Sequence, residues 1–243
     1  MNLKVKLEYD GSAYHGWQRQ KNARSVQEVV ERAISRISGE EIVVIGAGRT
    51  DAGVHAKEQV INFHTKMRIP IEKIPYAINS QLPEDIVAYE AEVVADSFHA
   101  RFCAKSKIYN YTIYNAPYPS PILRKYAYFS PKPLDINAMR EASHEFIGTH
   151  DFSAFKASGS PVKNSVRHVK MLEVLEKDNI IFIKIEADGF LYNMTRIIAG
   201  TLLDVGLGKI APHQIFPIIE SKDRSRAGKT LPPHGLCLER VIY

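Results

Sequence analysis

The chain has 243 residues, 45% of them hydrophobic and 24% charged, with a formal net charge of +5. These are globular values that exclude a disordered or fibrous chain, and the length suffices for one large core or two smaller subdomains. The basic balance suits a phosphate-rich partner, since each Lys or Arg set against a phosphate releases counterions, but composition by itself does not require nucleic acid.

Leu3, Val5, Leu7 and Tyr9 alternate with polar neighbours, which predicts a half-buried strand ending at Asp10-Gly11. The opening residues lack the charged-then-apolar layout of a signal peptide, and the longest apolar stretches are too short to span a bilayer. A soluble cytoplasmic protein with no membrane partner is expected. Residues 16–24 are polar and basic and read as an exposed loop. A helix is predicted to start at Ser25, with Ser25 and Glu28 as a capping box. Its apolar face is Val26, Val29, Val30, Ala33, Ile34 and Ile37, and Gly39 stops it. A short strand over Ile42–Ile45 runs into a Gly-rich turn. Then come a strand near Val60–His64, a helix opened by Pro70, and a strand near Ile86–Val93. The order β-α-β-β-α-β is that of a ferredoxin-like (RRM-like) half, with both helices on one sheet face.

The second half echoes the first. A strand is predicted over Ile108–Tyr114, a helix over Asp135–Phe146, and a hairpin from Val166–Leu175 and Ile180–Ala187 turning at Asp178-Asn179. A helix over Tyr192–Val205, a shorter one after Pro212 and a strand over Leu236–Tyr243 complete it. The expected fold class is α+β: two halves, residues 1–104 and 105–243, whose mainly antiparallel sheets join into one continuous sheet. The Pro-rich residues 116–133 read as a linker or an insertion. Cys103 and Cys237 are the only cysteines, so no disulfide framework or metal-ligand spacing exists. Two reduced, partly buried thiols and no metal site are expected.

Residues 46–56 read GAGRTDAGVHA, with Arg49, Asp51 and His55 framed by three glycines. Core packing does not need that many glycines; unusual backbone angles or close approach to a ligand does. The Walker pattern fails for want of Gly-Lys-Ser/Thr, and the dinucleotide fingerprint fails because Asp51 stands where it needs glycine. On loop physics alone, a turn whose aspartate caps local N–H groups and a catalytic carboxylate fit equally well.

GRTDAGVHA resembles the catalytic motif of the tRNA pseudouridine synthase A family, without a gap. YDGSAYHGWQRQ at 9–20 is similar to that family's opening strand and loop, FHARFCAKSKIYNYTIYN at 98–115 to its second motif, and GFLYNMTRIIAGTLLDVG at 189–206 to its third. DFSAF at 151–155 and the closing GLCLERVIY also fit, so the resemblance runs in order along nearly the whole chain.

The resemblance implies a pseudouridine synthase fold with its active-site cleft between the halves. It implies an enzyme that isomerises uridine to pseudouridine in the anticodon stem-loop of tRNAs, at nucleotides 38, 39 and 40. Asp51 is then the nucleophile, attacking sugar C1′ or base C6 or assisting deprotonation at C2′. Reactant and product are isomers, so no cofactor, redox or nucleotide, is expected. Tyr109 aligns with the tyrosine that stacks on the target base, with Tyr111 as a decoy on the same face. Arg196 aligns with the basic partner of the carboxylate, and its apolar surroundings (Met194, Ile197, Ile198) make an unpaired guanidinium costly. Arg49 is expected near the flipped nucleotide. His55 is either a structural hydrogen-bonder or a proton carrier, and Leu236 either packs on uracil or is plain core. Arg19, Lys21, Arg24, Arg101, Lys105 and Lys107 are candidate RNA-backbone contacts. Two departures stand out: Lys107-Ile108 precedes Tyr109 where many members carry two basic residues, and Tyr192-Asn193 falls where the third motif varies. A homodimer is implied by the resemblance alone. The competing readings are an RNA-binding protein without chemistry, and an RNA glycosidase using the same carboxylate with water as acceptor.

Overall fold

The alternation at the start of the chain produces strand β1 (Asn2–Tyr9), in which Leu3, Val5, Leu7 and Tyr9 all point into the core. The computed structural model describes residues 1–159, 162 and 164–243, and shows a mixed α+β fold. It divides into two compact units, Met1–Lys105 with Leu238–Tyr243, and Ser106–Cys237.

In the first unit β1 pairs antiparallel with β3 (His55–His64) on one side and β4 (Ile86–Val94) on the other. The short β2 (Ile45–Gly46) lies antiparallel against the far end of β3. The register Leu3↔Phe63 and Val5↔Ile61 puts apolar pairs on one sheet face. Helix α1 (Val26–Ser38) buries Val26, Val30, Ala33 and Ile34, as its spacing predicts. Ser25 caps it by accepting from the Glu28 N–H at 3.3 Å, and Glu28 itself pairs with Arg32 at 2.7 Å. The expected reciprocal half of the capping box is thus replaced by an i,i+4 ion pair. Helix α2 (Ile74–Asn79) follows a 3-10 turn at Ile71–Lys73 and buries Ile74 and Ile78.

The strand expected over Ile42–Ile45 is shorter, with only Ile45–Gly46 in the ladder. Side chains of α1 capture the preceding backbone: Ile42 N–H donates to Ser35 Oγ at 3.0 Å and Val44 N–H to Glu31 Oε1 at 3.2 Å. Glu31 is buried to do so, with Gln27 Nε2 donating to the same oxygen at 2.9 Å.

The second unit is built on β5 (Ser106–Asn115), with a short β6 (Tyr128–Ser130) parallel to it. Helix α3 (Ile136–His144) comes next, capped by the Asp135 carboxylate accepting from Ala138 N–H at 2.9 Å. Strands β7 (Gly148–Asp151), β8 (Val166–Lys177) and β9 (Ile180–Ala187) complete an antiparallel array in the order β5-β9-β8-β7. The β8–β9 hairpin turns where Asp178 takes φ 56°, a left-handed conformation that Asp tolerates. Helix α4 (Met194–Gly206) packs on α3 and β5, and α5 (Ile215–Ser221) extends the 3-10 turn at Pro212–Gln214. Strand β10 (Leu236–Ile242) closes the chain, and its residues from Leu238 onward belong to the first unit.

Residues 116–133 lie inside the second unit and carry a 3-10 turn at Leu123–Lys125 as well as β6, so they form an insertion rather than a linker. Cys103 is exposed rather than partly buried, with Sγ accepting from the His99 N–H at 3.4 Å, while Cys237 is half-buried. Among the described residues no helix is long and apolar enough to cross a membrane, and no His/Cys/Asp/Glu group could hold a metal ion.

Candidate active site

In the first unit, the turn bearing Asp51 is locked to the opening loop that follows β1. Thr50 is buried, and its hydroxyl shares a 2.8 Å hydrogen bond with the Tyr9 hydroxyl. Its carbonyl accepts from Trp17 N–H at 3.0 Å, and the Tyr14 carbonyl accepts from Gly53 N–H at 3.2 Å. Within the turn, Val54 N–H donates to the Asp51 carbonyl at 3.1 Å. From below, Gln59 Nε2 on β3 donates to the Gly48 carbonyl at 2.9 Å.

Two glycines of the opening loop make this approach possible. A Cβ on Gly11 would lie 2.0 Å from the Val54 carbonyl oxygen. One on Gly16 would lie 2.6 Å from the Thr50 carbonyl oxygen, and its φ of 86° favours glycine in any case. The loop read as exposed is therefore split: Gly16 and Trp17 are buried under the turn, while residues 18–22 face outward. The Trp17 ring occupies the space beside Gly46, where any Cβ would meet it at 2.7 Å.

This arrangement leaves Asp51 half-buried and Arg49 exposed at the tip of a clamped turn. His55 is buried at the start of β3, with Nδ1 3.1 Å from both the Gly11 N–H and Asp10 Oδ1. The Gly11 N–H, donating to Nδ1, ties the ring to the opening loop.

The basic candidates fall into separate places. Arg24 lays its guanidinium 4.9 Å over the Tyr14 ring, Arg19 pairs with Glu31 at 3.4 Å, and Lys21 is exposed between them in sequence. Arg101 lies in the turn after β4, where Asn2 Nδ2 donates to the Phe98 carbonyl at 3.1 Å. That turn adjoins the opposite end of β1 from Thr50, roughly 20 Å away at about 3.3 Å per residue. Arg101 sits 5.7 Å from the Phe102 ring, and Lys105 is exposed near the close of the same segment.

In the second unit, Tyr109 is 6% exposed on β5, its ring meeting Phe190 edge-on at 4.8 Å between centroids. Tyr111 is fully buried, with its hydroxyl donating to the Pro232 carbonyl at 2.8 Å and its ring against Gly235. Burial pushes the Tyr111 phenol well above its ordinary range. That is the environment of a core tyrosine. Lys107 is half-buried on the same strand, and Leu236 is buried at the start of β10.

Arg196 projects from the first turn of α4, half-buried. Its Nε donates to the Leu231 carbonyl at 2.7 Å and its Nη1 to Asn193 Oδ1 at 2.6 Å. No motif or periodicity marks this second contact in the sequence. Asn193 precedes the helix at φ 60°, a left-handed position that Asn tolerates, and aims its amide at the guanidinium three residues on. Tyr14, Trp17 and Gln59 are further residues of the turn's support that motif spacing did not single out.

A family model described as tRNA pseudouridine synthase matches residues 7–103 and 142–243. The tRNA pseudouridine synthase A of Thermoanaerobacter sp. (strain X514) is 54% identical, and that of Acetivibrio thermocellus 51%, each over all of this chain and 99% of the relative. A structure titled "Structure of H/ACA RNP bound to a substrate RNA containing 2'-deoxyuridine" is 12% identical with a TM-score of 0.45, covering 98% of this chain and 47% of that one. The chain belongs to the tRNA pseudouridine synthase family, in its A branch. It is accordingly an isomerase of the pseudouridine synthase class.

Proposed function

We propose that this protein isomerises uridine to pseudouridine in tRNA, at nucleotides 38, 39 and 40 of the anticodon stem-loop, with Asp51 as nucleophile. The observation that supports Asp51 most is the clamped turn: buried Thr50 on one side and tethered Gly53 on the other leave the carboxylate on a rigid mount. Preorganised placement of a reacting group removes much of the entropic barrier to attack. A carboxylate oxygen can form and release a bond to an anomeric carbon, as in retaining glycosidases, or add to C6 of the uracil. In either course the N1–C1′ bond breaks, a C5–C1′ bond forms, the C5 proton leaves to solvent and N1 regains a proton. No electrons enter or leave, and no cofactor takes part.

In this reading the two units are the ferredoxin-like halves of a pseudouridine synthase fold. Tyr109 is the platform for the extruded base and Arg196 the cation that balances Asp51. Arg49 and Leu236 serve the flipped nucleotide, His55 holds the loops together, and the exposed basic residues follow the phosphates. The family resemblance further supports a homodimer acting in the cytoplasm.

The test uses tRNA labelled with tritium at uracil C5. Isomerisation releases label to water with the base still attached, binding alone releases nothing, and excision frees uracil. Asp51→Asn is expected to abolish release. Full release by that variant overturns the assignment, and free uracil supports a glycosidase instead.

A further inference from the structure

Tyr14, in the opening loop, is tied within the first unit through its hydroxyl and through both its backbone N–H and its carbonyl. Its ring is 3% exposed, and its hydroxyl donates to Asp85 Oδ1 at 2.5 Å. Its carbonyl receives the Gly53 N–H at 3.2 Å, two residues beyond Asp51, and its own N–H donates to the Gly11 carbonyl at 3.0 Å. Asp85 is itself fixed at the entry to β4, where its carbonyl accepts from Asp10 N–H at 3.0 Å. The Arg24 guanidinium covers the ring at 4.9 Å.

Burial of the ring does not require the hydroxyl, since phenylalanine would fill the same space. The hydroxyl adds a short charge-assisted hydrogen bond, among the stronger neutral-to-ion contacts available to a side chain. Burial and the neighbouring Asp85 carboxylate both raise the phenol above its ordinary range, which keeps it protonated as the donor. The bond fixes how deep the ring sits, and the ring fixes the carbonyl that holds Gly53. A shift there reaches Asp51 through the Val54 N–H to Asp51 carbonyl link.

We propose that Tyr14, pinned by Asp85, is a positioning residue that sets the pose of the Asp51 carboxylate. This rests on the reading of Asp51 as the nucleophile. Tyr14→Phe is expected to lower kcat for tritium release roughly ten-fold, because small misplacements of a reacting group are expensive, while KM stays within about two-fold. Amide exchange at Gly53 is expected to quicken in the same variant. Asp85→Ala should reproduce both effects, Asp85→Asn should bring kcat and Gly53 exchange back near wild type through its amide oxygen, and Tyr14→Phe with Asp85→Ala should be no worse than either alone. Should Tyr14→Phe fold poorly, Asp85→Ala carries the test. Unchanged kcat and unchanged exchange at Gly53 overturn the proposal, as does a rise in KM alone. If the wild type releases no tritium, the functional reading fails, and the exchange measurement still decides whether Tyr14 holds the turn.

Discussion

Tyr9, at the end of β1, and Thr50, next to the proposed nucleophile, share a buried hydroxyl-to-hydroxyl hydrogen bond of 2.8 Å. The bond ties the end of β1 to the turn that carries Asp51. Thr50→Val keeps the shape and deletes the bond, so folding stability should fall by about 1 kcal/mol in urea titrations. Activity should fall further than that loss explains, since the adjacent residue is Asp51. Thr50→Ser should recover both, and a Thr50→Val enzyme of full activity would show that the turn holds its shape without this contact.

Asn193 gives a second check on local support. Its amide oxygen receives the Arg196 Nη1 at 2.6 Å while its backbone sits at φ 60°. Asn193→Gly preserves the backbone preference and removes only the acceptor, so helix α4 should remain while kcat drops roughly ten-fold. Asn193→Asp keeps an acceptor and should retain most activity. Equal kcat in Asn193→Gly and wild type would mean that the Leu231 carbonyl orients the guanidinium unaided.

The periodic parts of the first unit are legible because their signal is local. Val26 to Ile34 on α1 and Leu3 to Tyr9 on β1 each show their buried face in the residue types. What escaped was set by polar side chains reaching across the fold. Glu31 and Ser35 drew Ile42 and Val44 out of a strand, and no hydropathy pattern records a buried carboxylate on a helix. β7, with the sequence GTHD, has no apolar alternation to read. At the candidate site, motif resemblance pointed to Asp51 and Arg196. The ties from Tyr14, Trp17 and Gln59 to the turn join residues distant in sequence and leave no periodic trace. Solvent-facing Arg101 looked like its neighbours in composition, and only the register of β1 separates it from the Asp51 turn.

Asp151 opens the DFSAF segment and supplies a pH-dependent contribution to stability. The Ser153 hydroxyl donates to Oδ1 at 2.6 Å and the Ser153 N–H at 3.0 Å, with Lys222 3.2 Å from Oδ2. The Ser153 hydroxyl bond is the largest influence, and together with Lys222 it outweighs burial and lowers the carboxyl below its ordinary value. The carboxylate's contribution is therefore fully present above the unfolded pKa of about 3.9 and is lost as pH falls through the lower folded value. Asp151→Asn should be less stable than wild type at neutral pH, with the gap closing only in acid below about pH 3.9. A gap that stays constant on acidification would show that packing, rather than charge, distinguishes the two proteins.

Tyr109 and Tyr111 lie two residues apart on β5 with the same side facing inward, and the proposed mechanism gives them opposite work. Tyr111 has every part of its side chain committed to the fold, its ring against Gly235 and its hydroxyl on the Pro232 carbonyl. Tyr111→Phe should lower stability by about 1 kcal/mol through that lost bond and leave kcat close to wild type. The Tyr109 ring meets the edge of Phe190, and in the proposed mechanism its aromatic face serves the target base. Tyr109→Leu keeps an apolar side chain of moderate size but no aromatic face, and base stacking on such a face is worth about 1–3 kcal/mol. Release of tritium should fall at least ten-fold while the melting temperature moves little. The reverse pattern, with activity lost in Tyr111→Phe and kept in Tyr109→Leu, would exchange the two assignments and place the base platform one inward position further along the strand.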